Sequence, residues 1–539
     1  MAKPQPPKKS IKSKDESVNP VSRLGPWLLF GAYLIVLAFG LIHHELWRDE
    51  HQAWLLARDS GSLFDLIQNM KYDGHPVLWH SLLLVCAKFT QSPYTMQWVH
   101  FLLAAGFSFL LIKKSGFPLW LCGLILFAYF FIYEYGTISR NYAIGVFLTF
   151  VFCSLFPKRH ENYLWLGLVL FFLANTSVFG LILAFLLGAL LMFDFFYEKK
   201  EGEKKNQIKF IGSLLLALAG GIISLYIIYP KEGNSFPVGT LDGGFDINRL
   251  YFVMGTFVKA MFALPALTRT DYWNTSMFIG DATVMNPLPP LILFFILAGI
   301  FLKRRPVFLL YTLGVFLITG FLYYTLLTHA RYYGHFAVLL VACLWLERNY
   351  DPKAPANKIL DKWAALSGSI RTFVLATIFS VGVMGGLGAL WKDYKLPFSG
   401  SEEAAEFIKS RQLDTLQMVG ATDFVVSCLP SLLETGPVYY PEREGWGSFV
   451  IWDSLRKSSI DFTRVISALE KLTSGGRKAL LVLSAPPEKQ TAEGPVLLGD
   501  DQLSPLVRVS FLGKVEKTVV KDEKYFFYLA EKVESGSPP

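Results

Sequence analysis

The sequence predicts a mainly α, polytopic membrane protein with a soluble α/β domain at its C-terminal end. Three observations predict it. Hydrophobic residues make up 53% of the 539-residue chain and aromatic residues 15%, with a mean hydropathy of +0.38, a balance foreign to soluble globules. Charge is 17% of the chain and is segregated. Stretches without Asp, Glu, Lys or Arg cover 24–44, 89–112, 115–133, 141–157, 162–193, 210–230, 287–302, 306–330, 332–346 and 372–391. From about Trp391 the composition turns polar, with 18 Lys/Arg and 21 Asp/Glu over 392–539.

In chain order, residues 1–23 carry six Lys/Arg against two acids and no apolar core. They read as a Pro/Lys/Ser-rich, disordered cytoplasmic tail and not as a signal peptide. The run 24–44 is the first span, since crossing the hydrocarbon takes roughly 20 apolar residues. The first external loop follows, over 44–95. Its apolar stretch 77–89 reaches only about 20 Å as a helix against a core of about 30 Å, so it is read as half-inserted. The run 162–193 is too long for one span and breaks at Asn175-Thr176-Ser177. The total is eleven spans within a membrane domain at 24–391.

Sidedness follows from the basic clusters. Lys113-Lys114, Lys158-Arg159, 199–205, Lys303-Arg304-Arg305 and 348–362 fall on one side with the N-terminus, the cytoplasmic one by the positive-inside tendency. The polar segments 44–76, 134–142, 230–287 and 329–335 then share the other side with everything after 391. Within 230–287, residues 246–264 ahead of Pro265 read as an interfacial helix. The external domain at 392–539 suits one core. It shows β-rich runs at 416–420, 438–440, 448–452, 479–484 and 525–529, with helical patterns at 402–411 and 461–473. The net charge of +8 lies beside membrane runs, so it points to a bilayer and not to nucleic acid. The five cysteines at 86, 122, 153, 343 and 428 have no metal-ligand spacing and leave the external domain without an internal disulfide.

The chemistry-bearing residues gather on the external side. Asp49 and Glu50 sit just past the first span, where carboxylates are costly and are usually kept for function. His43, His44, His51 and His80 are close to them in sequence, as is Asp73. Such a mixture suits a divalent ion, with His51 and Asp73 as candidate ligands, although no HExxH spacing supports it. Arg140 stands at the external end of an apolar run between Tyr135 and Tyr142, and Arg331 stands between His329 and His335. The plain alternatives are a helix N-cap for Asp49 and arginines snorkelling to an aromatic belt.

Three segments in this order, WRDEHQAW (47–54), YDGHPVLWH (72–80) and YEYGTISRNYAIG (133–145), together resemble the GT-C superfamily of membrane glycosyltransferases. More narrowly they are similar to the bacterial protein O-mannosyltransferase and aminoarabinose-transferase type. The second segment is similar to that family's His-Pro-Pro-Leu stretch, the third to its Tyr-Ser-x-x-Ala-Arg-x-Tyr-Ala-Leu stretch. HARYYGHFAVLLVACLWL (329–346) resembles a late-helix segment of bacterial members. Two departures stand out: Val77 where a second Pro is common, and His75 where some relatives have Lys.

The resemblance implies a GT-C helical bundle and a polyprenyl-phosphate sugar donor, with inversion at the anomeric carbon. It implies Asp49 as general base. Glu50 beside it is open to orienting the acceptor, ligating a metal or plain solvation. Arg140, Arg331, His75 and Lys71 are candidate donor-phosphate contacts, with pairing to an active-site carboxylate as the other reading of Arg140 and a metal as the other reading of His75. Tyr135, Tyr142, Tyr72 and His335 become substrate contacts. The acceptor is left open among protein, glycan and glycolipid. On this reading Asp49 and Arg140 must share one pocket at the outer water–lipid boundary, in the inner or plasma membrane. Two other classes compete. A lipid or sugar flippase would carry polar, interrupted helices at the midplane, whereas these runs are nearly charge-free. A membrane-anchored binding module would put its work in 392–539, where no nucleotide fingerprint appears.

Overall fold

The computed structural model describes residues 20–197, 206–235, 244–280, 286–355, 357–457, 461–485, 488–491 and 494–533. Most of the basic tail, the 199–205 cluster and parts of the 230–287 loop lie outside the described residues. Each of the ten apolar runs contains helix, and 162–193 contains two. Seven helices are long and apolar enough to cross a membrane: Leu24–His43, Thr95–Lys114, Tyr142–Ala174, Val178–Tyr197, Gln207–Ile228, Arg305–Thr325 and Lys358–Lys395. This makes the chain a multi-pass membrane protein. The other runs give shorter helices at Leu119–Phe127, Leu288–Phe301 and His335–Leu346, and two runs join through a 3-10 turn at Phe156–Lys158.

Side-chain chemistry explains the local breaks. Between Ala174 and Val178, Ser177 Oγ accepts the Gly180 N–H at 2.9 Å, and Asn175 Nδ2 donates to Gly220 O at 3.1 Å. Ser177 thus takes a first-turn N–H of the second helix, Asn175 Nδ2 also takes the Phe171 carbonyl at 2.9 Å in the last turn of the first, and these are the groups a helix end exposes. Leu78–Ala87 is only ten residues long. Its buried Trp79, Leu83 and Leu84 pack with Trp54 and Ala57 of the helix Arg48–Arg58. Helix Ile247–Met261 is capped by the Asp246 side chain and buries Val253, Phe257, Ala260 and Met261 against the bundle. Arg249 anchors it to the carbonyls of Tyr323 (2.6 Å) and Tyr324 (2.8 Å) at the end of Arg305–Thr325.

The long last helix continues to Lys395, and a sheet region follows. Its strands are β1 (Gln417–Ala421), β2 (Val438–Tyr440), β3 (Gly445–Gly447), β4 (Ala479–Leu483), β5 (Glu488–Thr491), β6 (Gly494–Leu497), β7 (Asp501–Gln502), β8 (Val507–Val515) and β9 (Tyr525–Lys532). Seven of them form one sheet in the order β3-β2-β1-β4-β9-β8-β7, and β5-β6 is a separate hairpin. Central β4 is buried along its whole length, with parallel β1 on one side and antiparallel β9 on the other. Helices Ser401–Ser410 and Phe462–Thr473 accompany the sheet. The β-rich run at 448–452 is a correction: it is irregular chain, and the strand there is β3. Strand β8 went unread because Arg508, Ser510 and Lys514 break its apolar pattern and a bulge shifts its register between Phe511 and Gly513.

The sheet region grips the helix Arg48–Arg58. Gln52 exchanges two hydrogen bonds with the Val450 backbone, both 2.9 Å. Arg58 Nη1 donates to Pro430 O at 3.0 Å, and Arg48 N–H donates to Glu523 at 3.1 Å. Residues far apart in sequence thus fix the helix that carries Asp49.

Candidate active site

The helix Arg48–Arg58 begins just after the first span, and its first turn carries Asp49 and Glu50. Consecutive helical residues point about 100° apart, so the two carboxylates cannot face the same way. Glu50 turns inward and is fully buried. Its Oε2 accepts the Trp47 N–H at 3.1 Å and lies 3.2 Å from His44 Nε2. Its Oε1 accepts the Ser139 N–H at 2.5 Å. Burial acts to raise this carboxyl, but His44 and the two backbone donors hold it below its ordinary value. Glu50 therefore pins the 135–141 loop to the first loop and does not reach the cavity, contrary to an acceptor-orienting role.

Asp49 turns the other way, into a cavity of about 520 Å³. Its Oδ2 lies 3.0 Å from Arg140 Nη1 and 3.5 Å from Arg331 Nη2. The Glu50–Ser139 bond sets the backbone one residue before Arg140, so one carboxylate positions the partner of the other. Burial works to raise the Asp49 carboxyl. The guanidiniums of Arg140, Arg331 and Arg48 outweigh it and keep the group ionised below the usual range. Arg331 is sandwiched by aromatics, its Cζ 4.9 Å from the Tyr332 ring, 5.2 Å from Trp47 and 6.0 Å from Trp273. Its Nε and Nη1 are buried without a hydrogen-bond partner.

The 72–80 segment forms a further wall. Gly74 adopts φ +73°, a left-handed conformation that glycine takes without penalty, and Pro76 follows His75. The turn folds His75 Nδ1 back onto the Asp73 carboxylate (2.9 Å) and its carbonyl (3.0 Å). His75 Nε2 lies 3.4 Å from Arg140 Nη2. Asp73 is partly buried, which acts to raise its carboxyl, yet His75, His80 and Arg140 hold it well below the ordinary range. Burial pushes His80 down to about 4, against the pull of Asp73.

Other sequence candidates fall behind this layer or outside it. Tyr135 OH donates to Arg331 O at 3.0 Å and lies 3.2 Å from His335 Nδ1. His335 stacks on Phe179 at 4.5 Å. Both are buried supports of the Arg331 turn, as is Tyr142, whose ring is 5.5 Å from His335. Lys71 lies over Tyr72, Nζ 5.0 Å from the ring centre, and neither lines the cavity. His51 is buried between Ser431 Oγ (3.0 Å) and Leu46 O (3.1 Å), so its ring nitrogens are engaged away from Asp73. Among the described residues no group of three His, Cys, Asp or Glu is placed to hold a metal ion, and the pairing of His51 with Asp73 as ligands does not survive.

Sequence reasoning missed the roof. Phe424, Val450, Trp452, Arg456 and Asp522 of the sheet region line the same cavity. Arg456 makes a paired contact with Asp423 (2.6 and 2.7 Å) and covers Trp452 at 4.2 Å. Arg48, between Asp522 (2.6 Å) and the Phe424 ring (5.1 Å), joins roof to floor. Only the adjacency of Arg48 to Asp49 signalled any of this in the chain.

No family model matches the chain, and no curated protein matches it in sequence. The crystal structure of ArnT from Cupriavidus metallidurans in the apo state aligns with 94% of this chain and 98% of its own, at a TM-score of 0.52 and 13% identity. The fold is ArnT-like. At that identity the likeness concerns the fold alone.

Proposed function

We propose that the protein is an integral-membrane glycosyltransferase that moves a sugar from a polyprenyl-phosphate donor to an acceptor at the non-cytoplasmic face, inverting the anomeric carbon. One observation carries the reading: the buried Arg331 guanidinium has two N–H groups without partners, beside Arg140 and Asp49, at a cavity of about 520 Å³. Buried donors left unpaired are costly, and a guanidinium fork matches phosphate oxygens. A lipid phosphate reaching this cavity meets Arg140 and Arg331 in place of Asp49, and its negative charge grows as the sugar departs, which fixed cations stabilise. The acceptor is a hydroxyl or amine on a protein, glycan or glycolipid.

Two groups offer the cavity a proton-accepting atom. Asp49 is the one named by the motif resemblance, and His75 is the other. Asp49 in any case holds Arg140 and Arg331 together until donor phosphate competes for them. In lipid nanodiscs, the purified protein is expected to transfer labelled sugar from a polyprenyl-phosphate donor. Asp49→Asn should abolish transfer while keeping the unfolding temperature of the parent. Movement of lipid-linked sugar across the bilayer with no transfer product would replace this reading with the flippase one.

A further inference from the structure

We infer that His75, oriented by Asp73, is the group that takes the acceptor's proton, with Asp49 serving to align the two arginines; this rests on the transferase reading above. Hydrogen-bond logic fixes the imidazole. Nδ1 is 3.0 Å from the Asp73 carbonyl oxygen and 2.9 Å from Asp73 Oδ2. Both atoms accept only, so Nδ1 carries the hydrogen. The neutral ring then has its lone pair on Nε2. Arg140 Nη2, which can only donate, approaches that atom at 3.4 Å. Nε2 is therefore free to take a proton only once Arg140 turns to the donor phosphate, since a protonated ring would otherwise set two donors against each other. The side chain is 28% exposed and lines the cavity beside Asp49.

The arrangement is a base with a carboxylate behind it, the pairing that holds an imidazole in one tautomer and stabilises the imidazolium once formed. The groups facing His75 are Asp73 from its own turn, His80 from helix Leu78–Ala87 with ring centres 6.3 Å apart, Arg140 from the 135–141 loop and Asp49 from helix Arg48–Arg58. Burial keeps His80 neutral, so two carboxylates oppose one guanidinium. Asp49 offers less: the same oxygen faces both arginines, and a carboxylate so compensated is a weak proton acceptor.

The step balances. The acceptor oxygen bonds to the anomeric carbon, and the bond from that carbon to the phosphate oxygen breaks with its electron pair on the phosphate. The acceptor proton passes to His75 Nε2. The new negative charge lies on the phosphate between Arg140 and Arg331, and the new positive charge lies on the imidazolium against Asp73. Release of that proton to water through the cavity resets the site.

The test is the pH dependence of transfer in nanodiscs, with unfolding temperature as the control for folding. His75→Gln should lower kcat by about 10²–10⁴-fold, leave the donor KM near its parent value and erase the acid limb of the profile. Asp73→Asn should lower kcat in the same direction at unchanged donor KM, because the ring loses the acceptor that fixes its tautomer. A raised donor KM at unchanged kcat in His75→Gln would overturn the inference in favour of a phosphate contact. So would an acid limb that persists in His75→Gln. A parent protein that transfers no sugar from any polyprenyl-phosphate donor would sink both this inference and the function it rests on, whereas an active parent with an unaffected His75→Gln sinks the inference alone.

Discussion

Two carboxylates in this bundle each stand between two arginines, at opposite ends of the helix His335–Leu346. Beyond its C-terminal end, Glu347 lies 3.4 Å from Arg304 and pairs with Arg371. There the carboxylate is hidden, 4% exposed, and the cations are partly solvated at 25% and 31%. Before its N-terminal end, Asp49 meets Arg140 and Arg331 with the burial reversed. The cations are hidden at 8% and 12% while the carboxylate is 29% exposed. The same residue types do different work. Cations that reach water lose little by pairing only loosely, so the Glu347 cluster is a closed staple. Two hidden cations share one carboxylate here, a desolvation cost that a second anion relieves, so the Asp49 cluster is built to receive one.

The comparison breaks most visibly in activity. Arg331→Ala should cut transfer about 10²–10³-fold with little change in unfolding temperature. Glu347→Gln should do the reverse, leaving kcat per folded molecule unchanged and costing only about 1 kcal/mol of stability, because its two arginines still reach water. If Glu347→Gln abolished transfer in a folded protein, the distinction between staple and site would fail.

Next in size is Gly74→Ala. No atom lies within 4 Å of the added Cβ, so the change acts through the left-handed backbone alone, at about 1–2 kcal/mol. A strained turn carries His75 off Asp73, and about a tenfold drop in kcat is expected; full activity would show that the turn does not govern the site.

A smaller effect concerns the contact of roof and floor. Burial pushes the Glu523 carboxyl up to about 7, against the pull of Arg48. The unfolded chain releases this proton near the ordinary value of about 4.3. Between those limits the folded state binds more protons, so Glu523 lowers stability as pH rises through that window. Glu523→Gln should flatten this part of the profile of unfolding temperature against pH. The smallest effect is expected from Lys71→Ala, within about twofold of parent activity, because Lys71 lies over Tyr72 away from the cavity.

Much of this organisation was readable along the chain. The apolar runs became helices, the Asn175-Thr176-Ser177 break appeared where a span had to end, and the 77–89 stretch became a helix of only ten residues. Asp49, Arg140, Arg331 and His75 stood in segments whose order singled them out, and the fold brings them to one cavity. Asp49 and Glu50 were not separable in sequence, being neighbours of one chemical type. Their roles diverge because one turn of helix aims them at different surroundings. The lining residues Phe424, Trp452 and Arg456 were invisible because nothing local in a polar, β-rich stretch reports what it covers.

Membrane class, helix positions and the gathering of polar residues in particular loops belong to the sequence alone. Transfer of apolar side chains from water sums residue by residue along a segment, so a string of letters is enough to compute it. The tertiary structure decided which carboxylate faces the cavity, which guanidinium keeps unpaired donors and which distant segment closes the roof. Those outcomes depend on separations of about 3 Å between residues far apart in the chain, where hydrogen bonding and charge pairing fall off too steeply to be read from spacing.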